Sequence, residues 1–209
     1  MVAMLFDDVS SLIEEIGRWS SMTNLYFVRH AHSTYSPDEM GRALSDQGLT
    51  DAGKTTKILK NENIDRVISS PYKRAIQTVE GLAEYIGQEV EIVHDFKERK
   101  LSAKPLDNFQ FAVTKVWEDD SFSWEGGESN IRAKARGVKA ALNVLEKYEG
   151  ENIAIGTHGN LMVLIMNHFD KQFGFHFWKE LNMPDIYKLT FDKTKLLEVN
   201  RIWKISSCY

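Results

Sequence analysis

The chain has 209 residues, of which 43% are hydrophobic and 27% are charged, and this suits one globular domain with a sizeable core. Its formal charge of −4 excludes a general attraction to nucleic acid or to membranes, so any anion site has to be built locally. The single cysteine excludes an internal disulfide and favours a reducing, cytoplasmic compartment.

The first 21 residues differ from the rest of the chain. Leu5, Val9, Leu12, Ile16 and Trp19 recur at spacings of three and four, which predicts an amphipathic helix. Acidic residues interrupt this segment, so it does not resemble a secretory signal. We expect residues 1–23 to form a helical, non-catalytic extension to a single domain that spans residues 24–209.

From residue 24 onward, segments typical of strands alternate with segments typical of helices. Strands are predicted at residues 25–28, 66–68, 90–93, 152–155, 186–191 and 196–203. Helices are predicted at residues 50–60, 70–86, 131–145 and 160–169, the second beginning with Ser70 as N-cap and Pro71 as first helical position. Residues 94–127 have weak periodicity and predict an inserted flap. The alternation predicts an α/β fold, a three-layer sandwich whose largely parallel central sheet is flanked by helices.

Three of the predicted strands are followed by arginine or histidine. The first ends at Arg29 and His30, the second is followed by Arg74 in the next helix, and the strand at residues 152–155 is followed by His158. Open α/β sheets bind ligands outside the carboxyl ends of their strands, so these four side chains are expected to meet. Arginine matches phosphate oxygens with paired N–H groups, and histidine can be a neutral nucleophile or a charged donor. The sequence therefore predicts a site for a small dianion.

Five motifs in the same order resemble those of the histidine phosphatase superfamily, the phosphoglycerate-mutase-like proteins. They are residues 27–31 (FVRHA), 44–53 (LSDQGLTDAG), 69–78 (SSPYKRAIQT), 127–129 (GES) and 156–159 (GTHG). The resemblance is specific for the family and much less so for a substrate. Ala31 and His32 stand where many members have glycine and glutamate, and neither change removes a catalytic group.

The resemblance implies a phosphomonoesterase with a covalent phosphohistidine intermediate on His30. Arg29, Arg74 and His158 would bind the phosphoryl group, and Ser33 matches a family serine or threonine that can contact phosphate. Glu98 is the best match to the general acid, with Asp95 as the alternative. We expect no cofactor and no metal, and the only expected partner is a small-molecule phosphomonoester.

Three other functions fit parts of the pattern. A phosphoglycerate mutase would transfer the phosphoryl group rather than hydrolyse the ester, but it usually has longer insertions than the one between Glu98 and Gly127. A metal-dependent hydrolase could use His30 and His32 as ligands, although Arg29 beside them disfavours a dication. A non-catalytic phosphate-binding module would be expected to have lost one of the core groups.

For four charged residues and for the aromatic residues of the flap, the sequence leaves two interpretations open. Lys73, Arg99, Lys100 and Lys104 either extend a positive rim toward a larger phosphorylated ligand or simply face water. Aromatic residues of the flap either shape a substrate pocket or form its core. Glu128 and Ser129 are expected to cap the long helix that follows them.

Overall fold

The computed structural model describes residues 22–204, and the predicted N-terminal helix lies outside this range. The strands are β1 (Thr23–Arg29), β2 (Arg66–Ser69), β3 (Glu91–Ile92), β4 (Asn152–Thr157), β5 (Asp185–Asp192) and β6 (Lys195–Arg201). The helices are α1 (Asp46–Leu59), α2 (Lys73–Ile86), α3 (Phe109–Glu118), α4 (Asn130–Lys147), α5 (Gly159–Phe169) and α6 (Phe175–Glu180), with a 3₁₀ turn at His94–Phe96. No helix within residues 22–204 is long and apolar enough to cross a bilayer.

The six strands form one sheet in the order β3-β2-β4-β1-β5-β6. Strands β3, β2, β4 and β1 are mutually parallel, and β5 and β6 add an antiparallel hairpin at one edge. Since β2, β4 and β1 are parallel neighbours, the residues that follow them meet at the carboxyl ends of these strands. The largely parallel sheet predicted from the sequence is confirmed.

The two faces of β1 show how the layers are built. Leu25 and Phe27 are buried in a cluster with residues of α4 and α5. Tyr26 and Val28 point to the opposite face and pack with residues of α1 and α2, among them Leu59. Successive strand side chains point to opposite faces, so a continuous apolar run is what a strand covered on both sides requires. This confirms the three-layer α/β sandwich.

Two helices begin at other residues than predicted. Helix α1 starts at Asp46 rather than residue 50, because the Ser45 side chain accepts a hydrogen bond from the Gly48 N–H and caps the helix there. Helix α2 starts at Lys73, and Ser70 is not its N-cap. The Ser70 hydroxyl lies 2.8 Å from His158 Nε2 instead, so a side chain predicted to cap a helix contacts the site.

The three-four spacing in the sequence of α4 predicts that Ile131, Ala135, Val138, Leu142 and Leu145 share the inward face, and the structure buries Val138 and Leu145 but differs at the start of the helix. Ile131 is 52% exposed and Ala135 is exposed, whereas the small residues Ala133, Gly137 and Ala141 are buried. A Cβ on Gly137 would lie 2.8 Å from a Leu161 methyl carbon, so the glycine lets α4 approach α5 closely. Close approach between the helices, rather than residue size, selects the inward face.

The predicted flap contains a helix that periodicity did not indicate. Helix α3 begins after Asn108, whose side chain accepts from the Phe111 N–H, and it buries Ala112, Val113 and Val116. The helix has only ten residues and Phe109 and Phe111 are exposed, which hid its apolar stripe in the sequence. Ser129 is the N-cap of α4 as predicted, but Glu128 is not a cap, because it pairs with Arg136.

Candidate active site

The loops that follow β1, β2 and β4 bring the predicted dianion-binding residues together. The His30 N–H donates to the Thr157 carbonyl oxygen at 2.9 Å, and the Ser70 N–H donates to the Gly156 carbonyl oxygen at 2.8 Å. Arg74, in the first turn of α2, places its Nε 3.2 Å from His30 Nε2. The rings of His30 and His158 meet edge to face, with centroids 5.2 Å apart.

The hydrogen bonds of His30 select one neutral form of the ring. Its Nδ1 lies 2.7 Å from the Ala31 carbonyl oxygen, which can only accept, so the proton is on Nδ1. Nε2 then carries a lone pair, which accepts from Arg74 Nε. Burial, together with the positive charges of Arg74, Arg29 and Arg42, lowers the pKa of His30 to about 3, against the opposing effect of the Ala31 carbonyl. An unprotonated nitrogen therefore faces the arginines.

His158 is the most enclosed member of the site. Its exposed fraction is 0%, and burial followed by the proximity of His30 and Arg74 lowers its pKa well below the ordinary value. Its Nε2 contacts Ser70 Oγ, and its ring packs edge to face against Tyr72 at 4.9 Å. Its Nδ1 is buried without a hydrogen-bond partner in the described chain.

The two predicted arginines are fixed by backbone carbonyl oxygens that the sequence did not indicate. Arg29 Nη1 donates to the carbonyl oxygens of Leu181 and Asn182, both at 3.0 Å. Arg74 Nη1 donates to the Glu39 carbonyl oxygen at 2.8 Å. Any residue type can supply a carbonyl oxygen, so no sequence signal could have identified these partners.

Glu39 and Arg42 were also missed. The Glu39 carboxylate pairs with Arg42 at 2.9 Å and with Arg74 at 3.4 Å, and all three side chains line the same cavity. Glu39 and Arg42 lie on the loop between Ser33 and Leu44, which has no periodicity to interpret. An acidic residue followed by arginine three positions later was the only available signal, and it is common on protein surfaces.

A cavity of about 780 Å³ opens beside His30. Arg29, Ser33, Arg74 and Glu98 also line it, whereas Asp95 does not. His158 is not among the lining residues, and its ring meets His30 edge to face. Five of the predicted side chains therefore border one space.

The remaining walls of the cavity come from the loop after β1, the residue before α2, the flap, the start of α5 and the segment around α6. They are His32, Tyr35, Glu39, Arg42, Tyr72, Arg99, Lys100, Leu101, Ser102, Lys104, Leu106, Phe109, Val113, Gly159, Asn160, Trp178 and Met183.

Glu98 is held at the N-terminus of α5. Its Oε1 accepts from the N–H groups of Arg99 at 2.8 Å and Leu161 at 3.2 Å. Its Oε2 makes only long contacts, at 3.3 and 3.4 Å, with the main-chain and side-chain N–H groups of Asn160. Asp95 is exposed outside the cavity, so Glu98 is the predicted acid that can meet a ligand there.

The two histidines of the His-x-His pair do not converge on a common point. His32 is exposed and its Nδ1 lies 2.8 Å from Ser45 Oγ, whereas His30 bonds to its own neighbour and to Arg74. Between residues 22 and 204 there is no group of three or more His, Cys, Asp or Glu residues that could hold a metal. The residues around His30 suit an anion better than a cation.

Comparison with known proteins identifies the family. The model of the histidine phosphatase superfamily, branch 1, matches residues 25–201. Phosphoglycerate mutase-like protein 4 of Arabidopsis thaliana is 27% identical over 151 residues, which are 65% of this chain and 66% of that protein. Phosphoserine phosphatase 1 of Hydrogenobacter thermophilus is 28% identical over 160 residues, 70% of this chain and 71% of that protein.

The fold has solved counterparts as well. The structure of a mycobacterial glucosyl-3-phosphoglycerate phosphatase superposes with a TM-score of 0.71 at 19% identity, over 86% of this chain and 97% of that one. The family match confirms the family predicted from the motifs and with it the enzyme class, a phosphomonoesterase. The chain belongs to the histidine phosphatase superfamily, in its first branch.

Proposed function

We propose that this protein hydrolyses phosphomonoesters through a covalent phosphohistidine on Nε2 of His30. The observation that supports this best is the contact at 3.2 Å between His30 Nε2 and Arg74 Nε in the cavity. A neutral imidazole whose unprotonated Nε2 lies beside a guanidinium can attack a phosphorus atom once that guanidinium binds the phosphoryl oxygens instead.

The phosphoryl group would be bound by Arg29, Arg74 and His158. Arg29 and Arg74 stay charged at neutral pH and offer paired N–H donors that match phosphate oxygens. Burial lowers the pKa of both arginines, so an entering dianion offsets the cost of two desolvated cations. On His158, Nδ1 is the ring nitrogen that has no protein partner, and we assign it to the phosphoryl group. Ser33 is proposed as an additional contact from the cavity wall.

In the first half-reaction, His30 Nε2 attacks phosphorus in line with the ester bond. The N–P bond forms while the P–O bond breaks, and its electron pair goes to the leaving oxygen. Glu98 delivers a proton to that oxygen. We assign this proton to Oε2, because its contacts with Asn160 are long and are easily given up. General acid assistance of this kind typically contributes about 10²–10⁴-fold.

In the second half-reaction, water attacks the phosphohistidine and Glu98 accepts its proton. The N–P bond breaks, its electron pair returns to Nε2, and inorganic phosphate leaves. Little covalent chemistry falls to the protein in phosphoryl transfer, so positioned cations and donors do most of the catalysis.

The substrate is proposed to be a small phosphorylated metabolite that is bound beneath a flap formed by residues 94–127. Two of the proteins similar to this chain are named phosphatases of phosphoserine and of glucosyl-3-phosphoglycerate, both small molecules. A cavity of about 780 Å³ can enclose a ligand of that class. We place the enzyme in the cytoplasm, on the strength of its single cysteine, and as one catalytic domain from residue 24 onward.

The test compares two histidines that stand two positions apart. His30→Ala is expected to abolish phosphate release from 4-nitrophenyl phosphate. His32→Ala is the matched comparison: this exposed ring lines the same cavity but bonds to Ser45 and has no role in the proposed chemistry, so most of the activity should remain. Normal turnover by His30→Ala would refute the proposal. Loss in both variants, together with loss in excess chelator, would favour the metal-dependent alternative.

Product analysis separates hydrolysis from mutase activity. With 3-phosphoglycerate as substrate, a phosphatase accumulates inorganic phosphate and glycerate. A mutase instead accumulates the isomeric phosphoglycerate with little free phosphate, which would overturn the proposed hydrolysis while leaving the phosphohistidine in place.

A further inference from the structure

Asp185 is a buried carboxylate that takes no part in the proposed chemistry. It is the first residue of β5, and its exposed fraction is 0%. Because β5 runs antiparallel to β1, Asp185 lies opposite Arg29, the last residue of β1. Burying a carboxylate is costly unless other groups replace the water that it loses. The groups that do so here lie partly on the loop that holds Arg29.

Four N–H groups surround the Asp185 carboxylate. Its Oδ1 accepts from the Ile186 N–H at 3.0 Å and from Arg201 Nε at 2.9 Å. Its Oδ2 accepts from the Asn182 N–H at 2.9 Å and from Arg201 Nη2 at 2.8 Å. Arg201 ends β6 and has a side chain that is 38% exposed, so it reaches the carboxylate from the surface. All of these partners are donors, and a carboxylate, which only accepts, satisfies them together.

The bond to Asn182 orients the peptide group that holds Arg29. The peptide between Leu181 and Asn182 is trans, and in a planar trans peptide the N–H and the C=O point in opposite directions. Its N–H points to Asp185 Oδ2, and its carbonyl oxygen accepts from Arg29 Nη1 at 3.0 Å. One peptide group therefore connects the buried carboxylate to the guanidinium.

The bonds of Arg29 decide which of its nitrogens a ligand can reach. Within the described chain, its side-chain hydrogen bonds both leave from Nη1, and they occupy both N–H groups of that nitrogen. Its Nε is buried, and a Cβ on Gly159 would lie 3.0 Å from it. Since Arg29 lines the cavity, Nη2 is the nitrogen left for a phosphoryl oxygen. The guanidinium is planar, so the bonds of Nη1 set the direction of Nη2.

Asp185 also supplies a negative charge close to a site that is rich in arginine. Burial lowers the pKa of Arg29, and the charges of Glu98 and Asp185 oppose that effect. Glu98 is neutral while it carries the proton of the first half-reaction. Of these two carboxylates, Asp185 is then the one that still balances the charge of Arg29.

We propose that Asp185 is a positioning residue for Arg29 and thereby sets the affinity of the site for the phosphoryl group. This inference rests on the proposed function, in which Arg29 binds phosphoryl oxygens. Asp185 does not touch the substrate: it acts through the Leu181–Asn182 peptide, and Arg201 holds it from the surface. Proton transfer by Glu98 does not depend on it.

The test measures the binding of inorganic phosphate by calorimetry, which needs the phosphoryl site but no turnover. Asp185→Asn keeps the size of the side chain and places an NH₂ group against donors that require an acceptor. The dissociation constant for phosphate should rise about tenfold, the effect expected when a charge-assisted hydrogen bond is lost. The ratio of kcat/KM on an alkyl phosphate to kcat/KM on 4-nitrophenyl phosphate should stay the same, because Glu98 is unaffected.

Arg201→Gln covers the case in which Asp185→Asn does not fold, since it changes a side chain at the surface of an edge strand. It should also raise the dissociation constant for phosphate, and Arg201→Lys, which keeps the charge, should recover part of the affinity. Arg66→Gln is the matched control, because it breaks an ion pair of similar exposure, with Glu151, outside the cavity. It should leave phosphate binding unchanged.

Three results would overturn the positioning role of Asp185 and leave it a stabilising residue only. They are an unchanged dissociation constant in the folded variants, an equal rise in Arg66→Gln, and a changed ratio between the two substrates. A wild type that binds no phosphate, or releases none from any ester, would instead refute the proposed function.

Discussion

At the scale of single residues, the proposed attack by Nε2 requires a His30 ring that is neutral and protonated on Nδ1. Two groups impose this state: the Ala31 carbonyl oxygen at 2.7 Å holds the Nδ1 proton, and Arg74 directs an N–H toward Nε2. An additional proton on Nε2 would face the Arg74 guanidinium in a buried site. Burial and the neighbouring arginines therefore disfavour the charged ring.

The pH titration of His30 tests this directly. Because burial lowers its pKa to about 3, its ring should stay neutral as the pH falls from 8 to 5. The ring carbon-bound protons, assigned by NMR with the help of His30→Gln, should show no titration in that range. A transition near pH 6.5, the ordinary value for histidine, would contradict the described environment.

The residues of the site were largely predictable, and their partners were not. Arg29, His30, Arg74 and His158 follow strands or open a helix, and their side chains carry distinctive chemistry. The Leu181 and Asn182 carbonyl oxygens that fix Arg29 are main-chain atoms more than 150 residues away. Contacts of that kind depend on the tertiary fold alone.

At the scale of elements, helix α4 holds the segment that carries Glu98. Arg136 donates to the carbonyl oxygens of Asp95 at 2.7 Å, Lys97 at 2.8 Å and Glu98 at 3.3 Å. The same guanidinium forms a bidentate ion pair with Glu128. One side chain thus ties residues 95–98 to α4, and we regard it as a positioning residue for Glu98, the proposed general acid.

Arg136→Lys keeps the positive charge but cannot span these acceptors. It should reduce kcat on an alkyl phosphate, which needs the acid, by ~10- to 100-fold, since small misplacements of a catalytic group have effects of that size. The loss on 4-nitrophenyl phosphate, a good leaving group, should be much smaller. Arg132→Lys, an exposed change on the same helix, serves as control. Equal losses on both substrates would argue against a role in positioning Glu98.

Helix α1 carries two glycines of one motif that have different surroundings. A Cβ on Gly48 would lie 2.0 Å from the His32 main-chain oxygen, whereas a Cβ on Gly53 would have nothing within 4 Å. Gly48 therefore lets α1 pack against the loop that follows His30. Gly53 has no such requirement, and an alanine there would improve helix propensity.

Denaturant unfolding of two alanine variants distinguishes these environments. Gly48→Ala should lower the free energy of unfolding by at least ~1–3 kcal/mol, the usual cost of overpacking, since the clash is with backbone. Gly53→Ala should raise it by about 0.5–1 kcal/mol. Equal effects of the two substitutions would mean that α1 does not approach the loop as described.

At the scale of the whole molecule, the alternation of strand and helix patterns in the sequence was enough to predict the sandwich. Short elements at its periphery were harder to predict. Strand β3 was predicted at residues 90–93 but has only two residues, and the ten-residue helix α3 in the flap was not predicted, because its short length gave no clear period. The inward face of α4 was predicted correctly at Val138 and Leu145 but not at Ile131 and Ala135, because Gly137 and small alanines are buried there through close helix contact. Patterns of large apolar residues do not report that contact.

Two buried neutral histidines make the stability of the whole fold depend on pH. The pKa of His30 falls to about 3 in the folded state and that of His158 falls well below its ordinary value, whereas both are near 6.5 when unfolded. The unfolded chain therefore binds more protons below pH 6.5. Stability is fully present above that pH and is lost as the pH falls from 6.5 toward the folded pKa values.

Urea unfolding at pH 7 and pH 5 measures this effect. The loss of stability over that interval should be smaller in His30→Asn than in the wild type by roughly 2 kcal/mol, since one histidine contributes about 1.4 kcal/mol per pH unit well below 6.5. The same pH dependence in both proteins would show that His30 is not held neutral by burial.

The central claim is that the phosphoryl group passes through His30, and trapping the intermediate tests it most directly. Enzyme mixed with phosphate-labelled substrate and quenched with alkali within milliseconds should carry an acid-labile, alkali-stable phosphoryl group. Peptide mass spectrometry should locate this group on His30, and it should be absent from His30→Ala. Rapid turnover by the wild type with no label on His30, or label on another residue, would contradict the account.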